Sequence, residues 1–230
     1  SISKTITKKN FTIKLPEKTK EIIDEAFEIS TTGRPGPVLI EVPLDIQNNP
    51  VKFSKKRKKQ NKAKINNDRY LNKKIQFLVK KLKNSKRPVL IAGNGIRFSK
   101  SYSLFKQIIK KLKIPILTVW NSHDLIENDN PYYAGRPGLD GERAGNFNIQ
   151  NSDLLIIIGA RMHVRQIGYN FKSFAREAYK IMIDIDKAEA DKFNLGINFK
   201  IIADINQLLK KFIKIKKEKF YNVEHQNYLN

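Results

Sequence analysis

Apolar residues fall into two kinds of run along the chain: short unbroken blocks, and longer stretches with helical spacing. The blocks are Val38-Leu39-Ile40 within residues 37–42, "PVLIAG" (88–93), "IPILTVW" (114–120), "DLLIIIGAR" (153–161), "YKIMIDID" (179–186) and "FKIIAD" (199–204). An unbroken apolar block bounded by Gly, Pro or polar residues predicts a strand covered on both faces. Transferring Leu154, Leu155, Ile156, Ile157 and Ile158 out of water is worth roughly 1.5–3 kcal/mol for each side chain. The helical stretches lie between the blocks. In residues 16–30, Ile22, Ile23, Ala26, Phe27 and Ile29 recur at helical spacing, and Pro16 and Glu17 suit a first turn. In residues 70–83, Leu71, Ile75, Leu78, Val79 and Leu82 form one apolar side. Further helices are predicted at about 100–112, in "RAGNFNIQNS" (143–152) and at 204–217.

Strands that alternate with helices pair in parallel through crossovers, which predicts an α/β fold with a doubly wound parallel sheet over residues 67–218. The first 48 residues do not belong to that alternation. They contain one helix and one strand, too little to bury a core. They are expected to be the C-terminal remnant of a preceding α/β domain, the rest of whose sheet lies outside this chain. Residues 49–66 read as a basic linker, and 219–230 as a tail or a link to a further domain. The start on Ser1 agrees with a chain cut from something longer.

Charge changes this picture less than its size suggests. The 230 residues carry a formal net charge of +23, from 45 basic and 22 acidic side chains. Of the basic residues 35 are Lys and 10 are Arg, and Arg is the residue suited to bidentate phosphate and base contacts. No motif that reads DNA or RNA occurs. The densest cluster, "KKRKKQNKAK" (55–64), is expected to be solvated linker, so no nucleic-acid partner is assigned. No apolar run approaches the ~18 residues of a membrane span. The basic start lacks the apolar core of a secretory signal. There is no cysteine, which excludes disulfides, thiolate metal sites and a Cys nucleophile and fits a cytoplasmic location. His123, His163 and His225 have no metal-ligand spacing to one another. Neither a phosphate loop of the Gly-x-x-x-x-Gly-Lys type nor a serine nucleophile elbow is present. "LDGERAGN" (139–146) echoes a diphosphate–Mg motif only superficially, its spacing being too short.

In open parallel sheets, ligands sit beyond the carboxyl ends of the strands. Here those ends are Gly93-Asn94-Gly95, Gly159 with Arg161 and Arg165, Asp184 and Asp186, and Asp204. Glycines at such a turn let backbone amides approach a phosphate, and are equally the default residues of a turn. The two arginines, four residues apart, can grip one anion if the segment is helical, or form an ordinary surface pair. A carboxylate at a strand end can accept from ribose hydroxyls or cap the following helix, and for Asp204 the cap is the expected role. Together these tips describe a nucleotide or dinucleotide cleft.

"AFEISTTGRPGPVLIEVPLDIQ" closely resembles the end of the pyrimidine-binding domain of thiamine-diphosphate enzymes of the acetolactate synthase type. "RPVLIAGNGIR", "GRPGLDGERAGNFNIQNSDLLIIIGARMHVRQIGYN" and "AREAYKIMIDIDKAE" resemble their central, Rossmann-like domain, in the family's order. The resemblance implies a parent carboligase or decarboxylase acting on a 2-keto acid, assembled as a homodimer or homotetramer from these and further domains. It also implies thiamine diphosphate, its ring activated by a glutamate, and Mg, held with the diphosphate by a Gly-Asp-Gly…Asn motif; this chain carries neither the glutamate nor the motif. No catalytic residue is therefore assigned, and the chain alone is expected to be inactive. The resemblance implies FAD or ADP in the central domain, with contacts from Arg34, Gly93, Asn94, Gly95, Gly159, Arg161, Arg165, Asp184 and Asp204. The chain departs from the family at three places. Leu139-Asp140 replaces a Met-His pair near the flavin, His163 replaces an acidic residue, and Trp120 replaces a leucine. The loop variant resembles acetolactate-synthase-like proteins associated with surface-sugar synthesis. The alternative is a stand-alone nucleotide-binding module, of the sirtuin or electron-transfer-flavoprotein kind, without thiamine chemistry.

Overall fold

The structure is a computed structural model that describes residues 2–51, 68–192, 195–216 and 220. It divides into two compact units, Ser1–Ala63 and Lys64–Asn230. The basic cluster at 55–64, most of the predicted linker, and most of the predicted tail lie outside the described residues.

The first unit holds β1 (Lys9–Thr12), a 3-10 turn (Pro16–Lys18), α1 (Thr19–Thr31), β2 (Val38–Glu41) and α2 (Leu44–Gln47). The helix and β2 fall where the pattern predicts them. β1 has no counterpart in the apolar pattern, because "KNFT" is short and polar; it pairs in parallel with β2, Lys9 opposite Val38 and Thr12 opposite Glu41. Lys8, just ahead of β1, explains the placement. Its ammonium donates to the carbonyls of Ile29 (2.5 Å), Thr32 (2.7 Å) and Arg34 (3.1 Å), satisfying the negative end of α1. Gly33 then turns the chain at φ +64°, a conformation that costs a residue with a Cβ. The unit buries Ile13 and Ala26 but leaves Phe27 70% exposed and Ile23 48% exposed. The apolar stripe of α1 thus finds few partners within the unit.

The second unit begins with α3 (Asp68–Asn84) and β3 (Pro88–Ala92). There follow α4 (Gly95–Phe98), α5 (Tyr102–Leu112), β4 (Ile116–Thr118), a 3-10 segment (Trp120–Leu125), α6 (Arg143–Asn151) and β5 (Leu154–Ile158). It ends with α7 (Val164–Ile167), β6 (Tyr179–Asp184), α8 (Lys187–Ala190), β7 (Phe199–Ile202) and α9 (Ile205–Phe212). The sheet order is β4-β3-β5-β6-β7, and every neighbouring pair is parallel.

Alternate residues of the strands feed two apolar layers, as the pleat requires. On one face Leu90, Ile156, Ile158, Ile181 and Ile183 pack with Leu71, Ile75, Leu78 and Leu82 of α3, Phe105 and Ile108 of α5, and Leu208, Leu209 and Phe212 of α9. On the other, Val89, Ile91, Leu155, Ile157 and Met182 pack with Ile149 of α6, Ile167 of α7 and Ala190 of α8. Both faces of the sheet are covered, which is why the strand sequences run apolar without alternation. At the amino-terminal edge Asp153 ties α3 to the sheet. Its carboxylate accepts from the Ser85 hydroxyl and from the amides of Lys86 (2.6 Å) and Arg87 (2.9 Å).

Candidate functional site

Because all five strands are parallel, their carboxyl ends share one edge. The order of the sheet places a switch point between β3 and β5: the chain leaves β3 outward to β4, then returns to the far side of β3 as β5. Adjacent strands whose crossovers leave in opposite directions open a crevice at that edge.

The two loops that floor the crevice interlock. The amide of Gly93 donates to the carbonyl of Ile158, and that of Gly95 to the carbonyl of Gly159, both at 2.9 Å. A Cβ on Gly93 would lie 2.2 Å from the Gly159 oxygen, and one on Gly95 2.7 Å from the Gly159 Cα. Gly159 itself adopts φ +57°. The glycines therefore permit backbone-to-backbone contact between the loops, and two of their amides are committed within the protein. Between them, the buried side-chain oxygen of Asn94 has no hydrogen-bond partner among the described residues. An acceptor in that state costs free energy until something donates to it.

Arg161 and Arg165 do not lie on one helix. Arg161 belongs to the loop after β5, and α7 begins only at Val164. His163 is the N-cap, its ring nitrogen accepting from the amide of Arg165 at 3.2 Å. The i, i+4 grip that the spacing suggested is therefore not formed by helical geometry. Arg161 is anchored from elsewhere: its Nε lies 3.2 Å from Glu189, a carboxylate 8% exposed that also receives Lys192. Burial, then Arg165, Arg161 and Lys192, push the His163 imidazole below its ordinary value. The loop after β5 thus gathers positive charge around the His163 ring.

The acidic tips belong to β6, next to β5, and to the edge strand β7. Asp184, half-buried, accepts from the amide of Asp186 at 2.9 Å, and Asp186 caps α8 through the amide of Ala188. Asp204 caps α9 by accepting from the amide of Gln207 at 3.0 Å, as expected for that position. Arg34 lies in the first unit, exposed in the loop between α1 and β2.

Three features of the edge escaped the sequence reading. Glu189, in "DIDKAE", carries no mark in the sequence; only folding brings it to Arg161. Arg136 stacks on Trp120, its guanidinium 5.4 Å from the ring centroid, while gripping one oxygen of Glu142 through Nε (2.8 Å) and a terminal nitrogen (2.7 Å). Gln166, 3% exposed in α7, has both side-chain amide atoms unpartnered among the described residues. Among those residues no cluster of His, Asp or Glu could hold a metal ion, and no helix is long and apolar enough to cross a membrane.

A doubly wound sheet with interlocked glycine loops and arginines at its switch point is the architecture of a nucleotide-binding-type α/β domain. The family profile described as thiamine pyrophosphate enzyme, central domain, matches residues 75–212, and the chain belongs to that family. It is 35% identical over 216 residues to a probable acetolactate synthase large subunit of Methanococcus aeolicus, covering 91% of this chain and 35% of that protein. A protein of the same description from Methanocaldococcus jannaschii is 36% identical over 211 residues, 89% of this chain and 35% of its own length. The acetolactate synthase isozyme 2 large subunit of Escherichia coli is 31% identical over 208 residues, 90% of this chain and 37% of its own. The chain thus spans about a third of the length of these curated relatives.

Proposed function

We propose that this chain supplies the central domain of a thiamine-diphosphate-dependent carboligase or decarboxylase acting on a 2-keto acid, and that its switch-point crevice holds the diphosphate of FAD or ADP. The observation that carries the nucleotide reading is the juxtaposition at one edge. Arg161 and Arg165 follow β5, next in the sheet to β3 and its paired glycine loop, and Asp184 ends β6, the next strand. Cations and an approachable backbone suit a diphosphate, and a carboxylate at the next strand suits ribose hydroxyls.

Thiamine diphosphate with Mg supplies the carbanion chemistry in such enzymes. No residue here is assigned to it; this chain's residues bind, orient and scaffold. The exposed Phe27 and Ile23 of the first unit support its role as part of a larger pyrimidine-binding domain, and a homodimeric or homotetrameric parent follows the same reading.

The test is a calorimetric titration of the full-length protein with ADP and with FAD. Arg161→Ala is expected to weaken binding by about 1–3 kcal/mol, the loss of a charged hydrogen bond. Equal affinity would remove Arg161 from the site. The absorbance spectrum of the purified protein in the flavin bands distinguishes FAD from ADP.

A further inference from the structure

We propose that Lys180 is a covalent modification site, an amine that an acyl phosphate acylates through the gap beside Gly196. The site lies away from the nucleotide crevice and does not depend on it. Lys180 is the second residue of β6 and Asp184 the last, so they stand at opposite ends of the strand. The rise of a parallel strand puts about 13 Å between them.

Three observations set this amine apart. The first is burial. Lys180 lies opposite Leu155 of β5 and, by the pleat, shares with Met182 the face covered by Ala190 and Leu195. Only 9% of it is exposed. The second is the lack of a counter-charge. No hydrogen bond or ion pair reaches its ammonium among the described residues, and the carboxylates of the neighbouring elements are engaged elsewhere. Glu189 holds Arg161 and Lys192, Asp191 holds Lys200, and Glu177 pairs with Arg176. Asp153, beside the start of β6, accepts from Ser85 and from the amides of Lys86 and Arg87. The third is an opening. Gly196, in the loop between α8 and β7, is exposed. A Cβ on it would meet the Lys180 Nζ at 3.7 Å, and no other described atom beyond its chain neighbours within 4 Å. The Lys180 backbone is pinned near the same loop. Its amide donates to the side-chain oxygen of Asn198 (2.7 Å), and its carbonyl accepts from the Asn198 amide (3.0 Å). A buried stem thus holds the amine beneath the gap.

Burial without an opposite charge penalises the ammonium, and the Lys180 pKa is lowered for that reason. The neutral amine is the form that attacks a carbonyl. Its lone pair forms the C–N bond at the acyl carbon, and the C–O bond to the phosphate breaks. Phosphate leaves with the electron pair, and one amine proton passes to water. The amide that results is uncharged, so acylation removes the charge that burial disfavours.

The experiment treats the full-length protein with a limiting amount of acetyl phosphate at about pH 7.5 and reads each lysine by peptide mass spectrometry. Lys180 is expected to be acetylated several-fold faster than the exposed Lys172 and Lys187. Its rate, followed as pH rises, is expected to level off below the ordinary ammonium value near 10.4. In guanidinium chloride, where burial is lost, the ratio to Lys172 and Lys187 is expected to fall to about one. Acetylation of Lys180 no faster than that of the two exposed lysines in the folded protein overturns the proposal. A ratio that persists in guanidinium chloride also overturns it, since the cause then lies in the adjoining sequence and not in the buried site.

Discussion

Gly93 and Gly159 meet backbone to backbone: a Cβ on Gly93 would sit 2.2 Å from the Gly159 carbonyl oxygen and 2.4 Å from the Cα of Ala160. The obstacle is main chain at the ends of two central strands, which cannot swing aside as a side chain can. Gly93→Ala is therefore expected to destabilise the second unit by about 1–3 kcal/mol, toward the upper end, as overpacking does. Urea unfolding should show a lower midpoint with an unchanged slope. A midpoint equal to that of the wild type would mean that the two loops are not in contact.

Asp153 offers a second check, through pH. Burial pushes its carboxyl up, but hydrogen bonds from Ser85 and from the amides of Lys86 and Arg87 outweigh this and hold it below the ordinary carboxylate value. A carboxyl lowered in the folded state contributes stability that is present above its unfolded pKa of about 3.9 and lost as pH falls through the folded value. Asp153→Asn is expected to remove acid sensitivity below about pH 4 and to cost about 1.5–3 kcal/mol at neutral pH. Chemical denaturation at pH 3 and pH 7 measures both.

His163 should reveal itself by NMR. Burial and the neighbouring Arg165, Arg161 and Lys192 lower its pKa from the ordinary value near 6.5. Since the unfolded chain binds this proton more readily, the associated stability is full above about pH 6.5 and is lost as pH falls through the folded value. A diphosphate at the arginines would offset their charge and draw the His163 pKa upward. A titration followed with and without ADP is expected to show that shift. The same midpoint in both would mean that no anion binds beside His163.

Two phenylalanines contrast the two units. Phe105, on α5, is 0% exposed; Phe27, on α1, is 70% exposed. Phe105→Ala is expected to cost about 3–5 kcal/mol, as buried aromatic truncations do. Phe27→Ala is expected to change the stability of this chain by no more than about 0.5 kcal/mol. Thermal melts of the two variants check the difference.

Much of the fold was legible because burial on both faces of a parallel sheet leaves an unbroken apolar string. β3, β5, β6 and β7 were readable for that reason, and the helical stripe of α3 reappears as four buried side chains. β1 was not readable. Four residues of "KNFT" carry no pattern, and their strand exists only because β2 and the end of α1 receive them. α4, α7 and α8 are four residues each, shorter than any periodicity can mark.

The candidate site divides along the same line. Local chain chemistry by itself determined that the strand tips are glycine, arginine and aspartate, because turns and caps draw on a few residue types set by backbone conformation. It also determined that these tips share one edge, since strands separated by helices must run parallel. Only the tertiary structure decided that Arg161 reaches Glu189 rather than aligning with Arg165, and that Arg136 lies on Trp120. Such partners are separated by 16 or more residues, and which of many exposed charges meets which ring is settled by crossovers and loop glycines. Sequence spacing carries that information only within a helix or strand, where the backbone repeat converts it into distance.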